Sequence, residues 1–177
     1  MKRSSISLLL GLTLVACAPV TPTGSPTSIE TPTITDGASF GDVATCPVTL
    51  PTPVTLPTGA VPSGQERPFG ARAFGNSQLW VVPIPQDGVM LADSRSVESD
   101  GSISAKFGWW RIAAGTLTIS GRRLDASAPP LRADVPDGYG SSGFQASGVF
   151  FPTQGCWEIT GTVGNATLSF VTFVRRI

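Results

Sequence analysis

The sequence predicts an all-β domain, an antiparallel sandwich, carried at the end of a long tether. Three observations predict it. Short runs of alternating apolar and polar residues recur from about Pro68 to the C-terminus. Turn dipeptides rich in Gly, Pro, Asp and Asn separate those runs. No stretch carries the spacing of an amphipathic helix. Short strands divided by such turns characterise sandwiches and barrels.

The elements follow in chain order. Met1-Lys2-Arg3 supplies positive charge, and an apolar run from Ile6 to Ala16 follows without a charged residue. Spanning a bilayer takes about 20 apolar residues, so this run has the length of the apolar region of an export signal. It ends in Leu14-Val15-Ala16-Cys17, which resembles the lipobox of bacterial lipoproteins. That resemblance implies a lipoprotein signal peptide over residues 1–16. It also implies acylation of Cys17, with diacylglyceryl and a further chain such as palmitate. Two or more chains anchor stably where one binds only marginally. The alternative is a plain secretory peptide that leaves a free thiol at Cys17.

Residues 17–45 read as a lipid-anchored linker. From Ala18 to about Ser39 it is rich in Pro, Thr and Ser, with almost no large apolar side chain. Such a composition buries too little surface to offset its ordering entropy. At about 3.1 Å per residue, a Pro-rich tether of this length reaches roughly 70 Å. The domain is then 46–177. It opens with a tandem hexapeptide, Pro47-Val48-Thr49-Leu50-Pro51-Thr52 and Pro53-Val54-Thr55-Leu56-Pro57-Thr58. Two copies are too few for a repeat fold, and the prolines forbid helix and central strand. The segment is expected to lie extended across the domain.

Seven strands are expected beyond it. Leu79–Ile84 is the first, with Pro83 and Pro85 placing its end at an edge. Asp87-Gly88 signals a hairpin into Val89–Ala92, and Asp100-Gly101 another into Ser102–Ile112. Thr116–Ser120 alternates, with Leu117 and Ile119 on one face. Phe144–Phe151, Cys156–Val163 and Ala166–Val174 complete the set. The last pair fixes its own register. If Gly164-Asn165 is a two-residue turn, residues whose numbers sum to 329 face one another. Trp157, Ile159, Val163, Leu168 and Phe170 then share one face, while Glu158, Thr160, Thr162, Thr167 and Ser169 share the other. Cys156, Val171 and Phe173 fall on the polar face and need a cover; the chain pinned at Cys46 is the expected one.

Three cysteines are present. With Cys17 lipidated, Cys46 and Cys156 remain as an even pair in an oxidising compartment, where a disulfide is expected. The alternatives are two buried free thiols or a metal pair. The chain has no histidine, which removes Ser-His-Asp and Cys-His catalysis and the usual metal sites. No cofactor or metal is expected. Loss of Lys2 and Arg3 with the signal leaves ten basic residues against 12 acidic ones, a mature net charge of about −2. No basic field remains to draw nucleic acid.

Two stretches carry a resemblance. Gly121-Arg122-Arg123-Leu124-Asp125 with Ala128-Pro129-Pro130-Leu131, and Gly155-Cys156-Trp157-Glu158-Ile159-Thr160-Gly161, resemble a group of small, uncharacterised bacterial lipoproteins with a C-terminal Cys-Trp-Glu hairpin domain. The likeness extends over about 46–175 and takes in Lys106-Phe107 to Arg111 with its paired tryptophans. It implies a place outside the cytoplasm but no activity. The last hairpin is also similar to the final two strands of immunoglobulin-like domains, which implies a sandwich of that kind.

Candidate functional residues are few. Trp109-Trp110 is the foremost pair, since neighbours on a strand point to opposite faces. One is expected in the core, and the other is either buried or exposed beside Arg111, where it could stack on sugar. Arg122-Arg123 could hold an anion or form a solvated turn. Trp109, Trp110, Arg111, Arg122 and Arg123 are thus the candidate ligand surface. Gly138-Tyr139-Gly140-Ser141-Ser142-Gly143 fits a dinucleotide pattern, but a strand rather than a helix follows it, so a flexible loop is expected. Asp134 and Asp137 could form a hydrolytic carboxylate pair or serve as turn formers. Asn165-Ala166-Thr167 fits a glycosylation triplet of little meaning in such a protein. The sequence reads as a membrane-anchored extracytoplasmic lipoprotein: a non-enzymatic binding or structural module, engaging the membrane by lipid and a cell-envelope protein or polysaccharide. The alternatives are a carbohydrate-binding module using Trp109 or Trp110, and a carboxylate-dependent hydrolase.

Overall fold

The computed structural model describes residues 42–52 and 72–177. The signal, Cys17, most of the tether and the second hexapeptide copy lie outside the described residues. Among the described residues nine strands form two sheets. Strands β1 (Phe74–Gly75), β2 (Leu79–Val82), β4 (Ile103–Arg111), β7 (Gly143–Phe151) and β6 (Arg132–Asp134) lie side by side in that order. Strands β3 (Val89–Ala92), β9 (Ala166–Arg176), β8 (Gly155–Val163) and β5 (Leu117–Arg123) make the second sheet. Among the described residues, helix is confined to two 3₁₀ turns, Val43–Thr45 and Ser94–Ser96. The sheets pack as the β-sandwich the sequence predicts, consistent with an immunoglobulin-like arrangement.

The β8–β9 hairpin has the expected register, from Gly155 opposite Val174 to Val163 opposite Ala166. Gly164 has φ +54°, while Asn165 has no positive φ. This matches the type II′ turn, whose first central position favours glycine. Trp157, Ile159, Val163, Leu168 and Phe170 are all buried. They meet Phe107, Trp109, Val149 and Phe151 from the facing sheet in one core. Gly161 makes room for the Trp109 ring: a Cβ there would lie 2.4 Å from Cζ3 of Trp109. The indole therefore lies on bare backbone, 6.1 Å from the Phe170 ring centroid, and its Nε1 donates to Ser147 Oγ at 3.1 Å.

A second, smaller cluster lies on the far side of β8–β9. Cys46 and Cys156 are joined by a disulfide and pack with Phe173, Val43, Val48 and Val171. The Thr49 N–H donates to the Val171 carbonyl at 2.8 Å, and the Val171 N–H donates to Thr49 Oγ1 at 2.9 Å. The segment beginning at Asp42 is therefore the cover that the misplaced apolar residues required. Val43 is part of it, so chain from within the expected linker already packs on the sandwich.

Some expectations are corrected. The first strand stops at Val82 instead of Ile84, and Asp87-Gly88 does not close a hairpin with it. β2 and β3 belong to different sheets, and β3 pairs in parallel with β9, Val89 opposite Phe173. Pro83 and Pro85 lack the N–H donors that a continuing β2 would need. The chain crosses instead to the other sheet, and the sandwich gains one parallel edge. Arg122 and Arg123 end strand β5; they are not a turn. β1 and β6, two and three residues long, have no sequence pattern long enough to read.

Candidate interaction surface

The structure disperses the five residues of the expected ligand surface. Trp109 is fully buried between the sheets. Arg122 lies on the outer face of β5, 3.3 Å from Glu158. Arg123 faces the opposite way and holds Asp125, with Nε 2.6 Å from Oδ1 and both side chains nearly buried. Burial pushes the Asp125 carboxyl up, but hydrogen bonds from Arg123 and from the Cys156 backbone hold it below its ordinary value. Both arginines thus have carboxylate partners within the domain. Only Trp110 and Arg111 remain together, at one end of β4.

Trp110 belongs to an aromatic row on the outer face of the five-stranded sheet. Register places Gly75 opposite Trp80, Trp80 opposite Trp110, and Trp110 opposite Phe144. Two glycines let these rings lie along the sheet. A Cβ on Gly75 would come within 2.3 Å of Trp80 Cδ1, and one on Gly108 within 2.6 Å of Phe144 Cε2. Trp80 is buried and Trp110 half-buried. Phe144 lies 6.3 Å from Trp110, and Tyr139 lies 6.3 Å from Phe144 at an edge-to-face angle of 66°. The row ends in solvent: Tyr139 is 41% exposed and Phe144 38%. Contiguous exposed apolar side chains of this kind mark contact surfaces, where single ones do not.

Arg111 fixes the loop that carries Tyr139. It is 2% exposed. Its Nη2 donates to the Gly140 carbonyl at 2.6 Å, Nη1 to Gly115 at 2.9 Å, and Nε to Gly143 at 3.3 Å. The Gly115 N–H in turn donates to the Ser141 carbonyl at 2.8 Å. Burial draws the Arg111 pKa below its ordinary value, and no carboxylate pairs with it among the described residues. A rigid fork of donors suits three carbonyls from two loops in a way a single ammonium cannot. The Gly-rich segment read from sequence as a flexible loop is therefore tied down, and Gly138 (φ +89°) and Gly143 (φ +87°) shape its ends. Sequence reasoning missed Phe144 and Tyr139. The available signal was aromatic residues on both sides of Gly143, next to a strand start.

The carboxylates of interest are exposed, Asp134 at the end of β6 and Asp137 before the Gly138 turn. No cluster of three or more Cys, Asp or Glu suited to a metal ion occurs among the described residues. No family of known proteins matches the chain, and no curated protein is similar to it.

Proposed function

We propose that the protein is a lipid-anchored, extracytoplasmic binding module without catalytic activity. Its recognition surface is the exposed end of the aromatic row, formed by Trp110, Phe144 and Tyr139. The observation that carries this reading is the fixed presentation of those side chains: Arg111 spends a buried charge to hold the loop of Tyr139 beside them. Rigid aromatic side chains lose little entropy on binding and serve as anchors at protein interfaces. The cysteine parity supports the location, since the Cys46–Cys156 disulfide suits an oxidising compartment and leaves Cys17 for lipid. A protein partner in the cell envelope fits this apolar patch best.

The test places a photo-crosslinking benzoylphenylalanine at position 139 in cells. Light-dependent adducts of discrete mass are expected, and they should disappear when Phe144→Ser is added. Absence of any adduct, or adducts indifferent to Phe144→Ser, would contradict the reading. A second reading, carbohydrate binding, is favoured by Trp110 itself, a half-buried indole within the row. Affinity electrophoresis in gels of soluble glucan and xylan tests it: retardation abolished by Trp110→Ala would select the sugar.

A further inference from the structure

A second feature lies toward the opposite end of β4 and β7, beside β3. β2 ends with Val82 opposite Gly108, and Val97 bridges Ile103 further along β4. Between these points no strand lies along that edge of β4 among the described residues. The Glu98 N–H donates to the Ser102 carbonyl, and the Ile112 N–H to the Gln78 carbonyl. Backbone groups alternate in direction along a strand, so the even-numbered residues of β4 face this edge. Lys106 sits midway and turns its N–H and C=O to a gap. β3, the outermost strand of the other sheet, borders the same space.

The space is a cleft of about 650 Å³, within the usual size of small-molecule sites. Its apolar lining includes Val89, Met90, Leu91, Phe107 and Phe150, and Leu91 is 58% exposed. Its charge is one-sided: Arg72, Arg95 and Lys106 against Glu98 alone. Arg95 has only a 3.9 Å contact to Asp93, and neither Arg72 nor Lys106 has an ion-pair partner among the described residues. This excess of cations occurs in a chain whose acidic and basic residues balance at 12 each.

We propose that this cleft binds a small amphiphilic carboxylate. The apolar tail lies along the β3 edge at Met90 and Leu91, and the carboxylate meets the Lys106 backbone N–H and the cations at the rim. A charge-assisted bond to a fixed backbone donor favours an anionic head. The exposed Leu91 side chain at the cleft favours a tail over a free inorganic anion. The gap at Lys106 is too short for an added strand, since it offers one facing residue between two points of pairing.

The test uses the full lipidated chain in nanodiscs of phosphatidylcholine, with equilibrium dialysis of radiolabelled octanoate, octan-1-ol and octylamine against protein-free discs. Octanoate should bind saturably at one per chain, and octylamine should show no saturable binding. Lys106→Glu keeps the backbone donor but turns an exposed rim cation into an anion, and should raise the octanoate Kd by about tenfold or more. Octanoate retention equal to that of empty discs, retention unchanged by Lys106→Glu, or equal saturable binding of octan-1-ol would overturn the proposal. So would saturable binding of the peptide acetyl-Val-Asp-Val-Glu-Val-amide in place of octanoate, which would assign the cleft to a strand-adding peptide.

Discussion

Replacing Arg111 tests how the exposed aromatic end is held. The guanidinium donates to three carbonyls, at Gly115, Gly140 and Gly143. Arg111→Met keeps an unbranched apolar stem and removes all three bonds. Gly140 is exposed and the other two are half-buried, so water can reach the freed carbonyls in part. The low end of the orphaning range, about 1 kcal/mol each, then applies, and the loss is about 3 kcal/mol. The buried charge disappears as well, which offsets some of this loss. Arg111→Lys keeps a charge to desolvate but reaches fewer carbonyls, so it should destabilise at least as much as Arg111→Met. In calorimetry both variants should lower Tm by about 8–12 °C. Amide exchange over residues 138–143 should quicken more than in β8–β9. A lysine variant within about 2 °C of wild type would refute the argument, because it would show that charge, not the fork of donors, matters here.

Three further outcomes follow. Cys46→Ser with Cys156→Ser opens a loop of sequence separation 110, which should cost up to about 4.8 kcal/mol in urea unfolding by chain entropy; no change in midpoint would deny the staple. Gly161→Ala drives a methyl to within 2.4 Å of the Trp109 ring and should destabilise by about 1–3 kcal/mol, with altered near-ultraviolet circular dichroism from Trp109. The Asp100 carboxyl is held low by bonds from the Ser102 hydroxyl and backbone N–H, and Asp125 is low as described. Both folded pKa values lie below the ordinary 3.8, so their stabilisation is full above that value and is lost as pH falls through the folded ones. Stability should therefore decline on acidification below about pH 4, and Asp125→Asn should flatten that slope; an unchanged slope would contradict the assignment.

Local signals made the sandwich legible. The β8–β9 register could be read because one turn fixes it and a one-residue slip would turn Trp157 and Ile159 outward. The same reading showed that Cys156, Val171 and Phe173 needed a cover, and the chain after Asp42 supplies it. Long-range pairing was not legible. The parallel contact of β3 with β9 joins residues more than 80 apart, and only Pro83 and Pro85 hinted that β2 would not continue into a hairpin. The aromatic row depends on registers among β2, β4 and β7, which no single turn sets. Arg111 belongs to the candidate ligand surface in the sequence reading, and its burial is not legible there, because arginine is rarely buried without a carboxylate. Its partners are backbone carbonyls, which leave no mark in the sequence.

The measurement that tests the account most directly is the intact mass of the protein extracted from membranes, before and after reduction with thiol alkylation. The account predicts the mass of residues 17–177 plus acyl chains on Cys17, with two alkylatable thiols appearing only after reduction. A mass without acyl chains would remove the anchor, and thiols free before reduction would remove the Cys46–Cys156 staple. Either result would contradict a lipid-tethered, disulfide-closed module outside the cytoplasm.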